Sequence, residues 1–152
     1  MDKVLHHSIR IRCNTARAFE MFTDNLLLAS WFPPEADVDP VVGGKYELFW
    51  DPDDRENNST IGCKVTALEP GKLIAFEWKG PVMFKEFMNN ADPLTHVVVV
   101  FFPCDDGPEP CTDVHVIHSG WRSTKEWEEA WKFFEWAWNE ELRELEEFVD
   151  KE

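Results

Sequence analysis

The chain has 152 residues, a length typical of one domain, and 43% of the residues are hydrophobic while 30% are charged. This balance excludes a disordered or fibrous chain, because either would bury too little apolar surface. The formal net charge of −15 disfavours nucleic acid and anionic membranes as partners, since their phosphates would repel it. Twelve Phe and eight Trp against one Tyr form an unusual aromatic content that any proposed fold must place.

The beginning of the chain predicts a strand and two short helices. Polar and apolar residues alternate from Leu5 to Cys13, as in a half-buried strand. Asn14 or Thr15 can cap a first helix, and a second helix is expected at about 25–31, before two prolines. This segment lacks the continuous apolar stretch of a secretory signal, so we expect a cytoplasmic protein.

The middle of the chain predicts antiparallel strands joined by turns. One strand follows two glycines and runs to about residue 50, and further strands are expected at about 60–68, 73–78, 95–102 and 111–120. The turn at 69–72 carries the Pro-Gly pair that suits its two central positions. The segment 80–93 has no clear period, so a short helix or a lid are both open.

The last thirty residues change to a helical period. Apolar residues recur every three or four positions, which predicts a long amphipathic helix with Ser123 or Thr124 as its N-cap. The buried face is predicted to carry Trp127, Trp131, Phe134, Trp138, Leu142, Leu145 and Val149. The element order predicts a single α+β domain over residues 1–152, with about six antiparallel strands wrapped around the C-terminal helix.

The order of these elements, with several short motifs, resembles the START-like, or SRPBCC, superfamily with its helix-grip fold. More narrowly, it resembles the family of activator of heat-shock protein 90 ATPase homologues. The matching stretches are AFEMFTDNLLLASWF from Ala18, VGGKYEL from Val42, VTALEPGKLIAFEW from Val65 and TDVHVIHSGW from Thr112. The resemblance covers about residues 4–149 and implies a curved sheet that grips the last helix.

In this fold the functional site is the cavity between the helix and the sheet. The resemblance implies that this chain has its functional site in the same cavity. Strand parity and helix period predict the side chains that line it: Trp31, Tyr46, Leu48, Trp50, Phe76, Trp78, Val97, Val99, Phe101, Val116, His118, Trp131, Phe134 and Trp138. Several Trp on both sides favour a small hydrophobic or aromatic ligand. The alternative is that these aromatic rings simply fill the core.

Other chemistries receive less support from the sequence. His118 is the best single polar candidate, as an acid or base or as a histidine hydrogen-bonded in the core. If Thr95 lies opposite His118, His96 and His115 face outward and no histidine pair converges, so we predict no metal site. The four cysteines have no CxxC spacing and are expected to be reduced thiols. No nucleophile motif occurs, and we name no catalytic residue.

We therefore predict a domain that binds a small hydrophobic or aromatic molecule without a cofactor, as a monomer or homodimer. Two alternatives remain open. The resemblance implies a co-chaperone-like regulator of heat-shock protein 90 that acts through an exposed surface. It equally allows a cyclase or hydrolase of the same superfamily that uses His118 with a bound ligand.

Overall fold

A five-stranded antiparallel sheet and a long C-terminal helix dominate the computed structural model, which describes residues 3–152. The first two residues of the predicted domain lie outside this description. The elements in chain order are β1 (Leu5–Ile11), α1 (Thr15–Glu20), α2 (Asn25–Trp31), β2 (Glu35–Val38), β3 (Tyr46–Phe49), β4 (Val65–Glu69), β5 (Leu73–Trp78), α3 (Lys85–Met88), β6 (Thr95–Cys104), β7 (Cys111–Ser119) and α4 (Lys125–Asp150).

The strands form two sheets. The larger sheet has the order β1-β7-β6-β5-β4, and β2 pairs with β3 in a separate two-stranded sheet. The curved sheet and the long helix confirm the predicted α+β helix-grip fold. The sequence did not predict β2, because its four residues include two acids and only Val38 is fully buried. The strand expected from residue 60 begins later, at Val65, because the chain turns at Gly62 with φ of 86°.

The C-terminal helix follows its predicted period. Thr124 is the N-cap, and its side-chain oxygen accepts a hydrogen bond from the backbone N–H of Trp127. The predicted apolar face is buried except for Trp131, which is half-buried and packs at the margin of the core. The helix contacts β1 and α2, so it closes the inner face of the sheet. None of the helices in residues 3–152 has the length and apolar character that crossing a bilayer requires.

The segment without a clear period forms a short helix, which is one of its two predicted alternatives. A 3-10 turn at Val82–Phe84 leads into α3. A Cβ atom at Gly80 would lie 2.6 Å from the sulfur of Met88, so only glycine fits here without movement of that side chain. The side chain of Asn89 accepts a hydrogen bond of 2.8 Å from the Gly80 N–H and closes the segment.

The cysteine prediction was wrong for one pair. Cys104 and Cys111 face each other in the β6–β7 register with their Cα atoms 5.3 Å apart, and their sulfur atoms are bonded. The cysteine spacing did not indicate this pairing, because the pairing depends on the register of the hairpin. Cys13 and Cys63 are free and buried, as the prediction of reduced thiols expects.

Candidate functional site

A cavity of about 320 Å³ lies beside the C-terminal helix, near the end of β5. Four separate parts of the chain line it: the residue after α2, the connection between β3 and β4, the end of β5 with the residues that follow, and one face of α4. Its aromatic lining consists of Phe32, Trp50, Trp78, Phe133, Phe134, Trp136 and Trp138. Its polar lining consists of Asp51, Asn58, Ser59, Lys79, Glu140 and Glu141.

The aromatic rings of the cavity hold one another in place. The Trp50 ring meets those of Phe32 and Trp78 nearly at right angles, with centroids 5.2 Å and 5.9 Å away. The rings of Trp78 and Trp138 lie 5.4 Å apart and are tilted by 42°. Such edge-to-face and tilted arrangements are the favourable ones for aromatic pairs. The cavity is therefore a mostly apolar space bordered by aromatic rings that pack on one another.

One residue of the cavity lining carries a buried polar atom that lacks a partner. The indole N–H of Trp78 is buried and has no hydrogen-bond acceptor among residues 3–152, while the whole residue is 3% exposed. A buried donor without an acceptor costs about 1–3 kcal/mol, so such atoms are rare unless something outside the protein chain satisfies them. The same holds for the indole N–H of Trp131, but that residue does not line the cavity.

A chain of hydrogen bonds in the core orients the Trp138 ring. Its indole N–H donates to Nδ1 of His118 at 3.0 Å, and because indole nitrogen only donates, Nδ1 must accept. The proton of the imidazole is then on Nε2, which donates to the Thr95 hydroxyl at 3.0 Å. That hydroxyl donates to the backbone carbonyl of Trp78 at 3.5 Å. The chain thus joins α4 to β7, β6 and β5, and it connects two residues that line the cavity.

His118 is consequently held as a neutral imidazole. Its side chain is fully buried, and burial lowers its pKa to about 3. Both ring nitrogens are occupied by protein groups, and the residue does not line the cavity. This geometry corresponds to the histidine hydrogen-bonded in the core, one of the two roles that the sequence left open.

Glu141 has the opposite kind of shift. The pKa of its carboxyl is raised to about 7, mainly by burial and to a smaller extent by the nearby carboxylates of Glu144 and Glu140. The side chain is half-buried on the cavity side of α4 and forms no salt bridge within residues 3–152. Its charge therefore changes near neutral pH, at the edge of an aromatic space.

The structure brings together four of the residues predicted to line a cavity: Trp50, Trp78, Phe134 and Trp138. The others do not line it. Nine of them are buried in the core: Trp31, Tyr46, Leu48, Phe76, Val97, Val99, Phe101, Val116 and His118. The tenth, Trp131, packs at the core margin, where the ammonium of Lys3 lies 5.0 Å from its ring.

These core side chains fill the space between helix and sheet because large rings interlock there. Tyr46 stacks on Phe76 with centroids 3.7 Å apart, and its hydroxyl donates to the carbonyl of Phe22 at 2.8 Å. The indole N–H of Trp31 donates to the carbonyl of Met21, also at 2.8 Å. The cavity lies beside this packed region, and only four of the predicted aromatic rings reach it.

Sequence reasoning missed the lining residues outside its regular patterns. Phe32 stands between a helix and two prolines, and Trp136 lies off the apolar stripe of α4 and is 61% exposed. The position of Trp136 off the apolar stripe is the one signal that the sequence contains. It predicts an exposed tryptophan, and a large apolar side chain in solvent often borders a binding site. The polar residues at 51, 58 and 59 belong to a turn whose position depends on the tertiary fold.

The expectation that no histidine pair converges was wrong on the outer face of the sheet. His6 and His115 lie on neighbouring strands, and Nε2 of one is 2.9 Å from Nδ1 of the other. The predicted pairing of Thr95 with His118 was also wrong, because Val97 is the residue that pairs with His118. His96 and His115 nevertheless face away from the core, as predicted. Within residues 3–152 no group of three metal-binding side chains converges.

Comparison with known proteins places the chain in a family. Residues 12–150 match the family described as activator of Hsp90 ATPase homolog 1-like protein. The chain belongs to this family. The membership confirms the resemblance drawn from the short motifs and their order, and it covers all elements from the end of β1 to α4. No curated protein matches the chain in sequence.

Solved structures with the same fold include members of this family. A protein from Mesorhizobium loti superposes with a TM-score of 0.76 at 18% identity, over 98% of each chain. The Aha1 dimer from Colwellia psychrerythraea gives a TM-score of 0.72 at 18% identity, over 97% of this chain and 96% of that one. An HSP90 activator from Plasmodium falciparum gives 0.57 at 20% identity, over 80% and 75%. At these identities the likeness shows the fold alone.

Proposed function

We propose that this protein binds a small hydrophobic or aromatic molecule in the cavity beside α4. A volume of about 320 Å³ lies within the range of small-molecule sites. The lining is mostly aromatic with a few polar groups at defined places, which is the usual composition of such sites. The hydrogen-bond chain through His118 supports this proposal, because it holds one ring of the lining in a single orientation.

The observation that carries the proposal is the unpartnered indole N–H of Trp78. A small movement of the Trp78 ring would bring this buried atom to the cavity, where a carbonyl, ether or hydroxyl oxygen of a ligand would supply the missing acceptor. The gain from such a bond is about 0.5–1.5 kcal/mol, which corresponds to roughly a twofold to twelvefold change in affinity. The ligand class that fits is therefore an apolar or aromatic body that carries at least one acceptor oxygen.

Titration of tryptophan fluorescence tests this proposal directly. A panel of flavonoids, fatty acids and polyketide-like aromatics should produce a saturable change for at least one class, because three tryptophan rings besides Trp78 line the cavity. Trp78→Phe keeps a ring and removes the donor, so the affinity for oxygen-bearing ligands should fall roughly twofold to twelvefold. Trp131→Phe is the matched control, since it removes an unpartnered indole N–H outside the cavity. A flat response to the whole panel would overturn the proposal.

A second candidate function is regulation of heat-shock protein 90. The family description and the named activator from Plasmodium falciparum favour it. Exposed apolar side chains that a protein partner could cover include Val82, Met83 and Trp136, each more than half exposed. The relative from Colwellia psychrerythraea is a dimer, so a homodimer belongs to this candidate as well. An unchanged ATPase rate of purified heat-shock protein 90 on addition of this protein would contradict this second candidate function.

A further inference from the structure

The charges around the cavity are unequal. Three carboxylates and one ammonium line it: Asp51, Glu140, Glu141 and Lys79. The ammonium of Lys79 donates to the carbonyl of Ile61 at 2.6 Å, so it is already engaged. Glu140 lies 3.3 Å from the guanidinium of Arg143, whereas Glu141 has no cationic partner in the described chain. The cavity therefore contains more negative than positive charge, as the whole molecule does.

Glu141 is the carboxylate with the strongest need for a counter-charge. Its half-buried position and its neighbours Glu144 and Glu140 raise its pKa to about 7, which means that the ionised form is poorly stabilised. From the other elements, the charged groups that share the cavity with it are Asp51 and Lys79. One of these repels the carboxylate and the other is held by a backbone carbonyl. A cation that entered the cavity would be the missing partner.

The aromatic lining adds attraction for the same kind of ligand. The faces of tryptophan rings carry negative charge density and attract ammonium groups, while they offer no such attraction to anions. Four indole rings line this cavity, at positions 50, 78, 136 and 138. The indole N–H of Trp78 belongs to β5, whereas Glu141 belongs to α4. One ligand could therefore direct an acceptor oxygen toward the strand and a cationic group toward the helix.

We propose that the cavity selects small organic cations, in particular protonated amines with an aromatic or aliphatic body, and that Glu141 is the counter-ion. This inference rests on the proposed ligand-binding function and specifies the chemical class of its ligand. An anionic ligand of equal size would meet three carboxylates and four indole faces. A neutral ligand would keep the contacts of the apolar body and lose only the attraction of the charge.

Three probes with the same ring and different charges separate this inference from the function on which it rests. 2-Phenoxyethylamine, 2-phenoxyethanol and phenoxyacetate share the same ring and the same ether oxygen, so they differ only in the terminal group. They are titrated at about pH 8, with tryptophan fluorescence excited at its red edge, where the phenoxy ring does not absorb, and with calorimetry. The amine should bind roughly threefold to thirtyfold more tightly than the alcohol, and phenoxyacetate should bind most weakly. Equal affinities for all three would overturn the charge inference and leave the binding function. Absence of binding by every probe would overturn both.

Variants of two glutamates on the same helix locate the effect. Glu141→Gln should remove most of the preference for the amine and leave the affinity for the alcohol within about a factor of two. Glu129→Gln is the matched control, because Glu129 is exposed on α4 and does not line the cavity. Affinity for the amine should also rise between about pH 6 and pH 8 in the unmodified protein, as Glu141 loses its proton. Equal effects of both variants, or an affinity independent of pH, would overturn the role of Glu141.

Discussion

His118 shows how one buried residue can connect the core to the cavity. It accepts from Trp138 and donates to Thr95, so its removal leaves the Trp138 N–H without an acceptor, takes one hydrogen bond from Thr95 and opens a space in the core. We expect His118→Ala to lower the free energy of unfolding by about 2–4 kcal/mol, measured by urea denaturation. His115→Ala serves as the control, because His115 lies on the outer face of β7 and its loss should cost less than about 1 kcal/mol. Equal losses would contradict the structural role given to His118.

The same residue makes stability depend on pH. The folded pKa of His118 is about 3 and its ordinary value is 6.5, so in this interval the unfolded chain binds a proton that the folded protein does not. The free energy of unfolding should therefore fall as the pH falls below 6.5, by at most about 1.4 kcal/mol per pH unit from this group. Glu141 acts in the opposite sense, because its raised pKa makes the folded state lose stability as the pH rises from 4.5 to about 7.

Two variants separate these opposed contributions. Urea denaturation from about pH 5 to pH 7 should show a less positive slope of stability against pH for His118→Gln, whose amide can keep both hydrogen bonds. Glu141→Gln should show a more positive slope than the unmodified protein, because the group that favours acid is gone. Slopes that coincide for all three proteins would mean that neither residue titrates as its burial requires.

At the scale of elements, the long helix depends on its first turn. The Thr124 oxygen accepts from the Trp127 N–H at 3.3 Å, and Glu126 and Glu128 follow in the first turn. Thr124→Ala should lower the free energy of unfolding by about 0.5–2 kcal/mol, measured by urea denaturation. Ser123→Ala is the matched control, because the sequence allowed either residue as the cap and the structure uses only Thr124. A larger loss at Ser123 would place the start of the helix one residue earlier.

The sequence predicted those elements whose side chains have one clear period. The second helix and the strand at 73–78 begin and end as expected, and α4 follows its stripe of apolar residues to Val149. The strand β2 has no such pattern, because it pairs only with β3 and only one of its four residues is buried. The disulfide between Cys104 and Cys111 depends on hairpin register, which the composition of the loop does not determine.

At the scale of the whole molecule, the cavity could be predicted only in part. Period and parity identify which rings point inward, but they do not show where inward rings touch and where they leave space. Tyr46 and Phe76 touch, whereas Trp50, Trp78 and Trp138 border a space. That difference depends on the position of Phe32 and Trp136, which come from a chain turn and from the edge of α4. The high aromatic content thus serves both the core and one cavity beside it.

The net charge of −15 also acts on the molecule as a whole, because folding brings these charges closer together. Added salt weakens this repulsion and also weakens the salt bridges, which involve exposed side chains such as Lys45 with Asp37 and Lys72 with Glu69. Exposed pairs contribute little, about 0–1 kcal/mol each, so relief of the repulsion should be the larger effect. We expect the Tm to rise by about 2–4 °C when sodium chloride increases from about 0.01 M to 0.15 M. Calorimetry in this range measures the shift, and sucrose at matched osmolality is the control, since it does not screen charge. A Tm that falls with salt would show that the ion pairs stabilise the fold more than the net charge destabilises it.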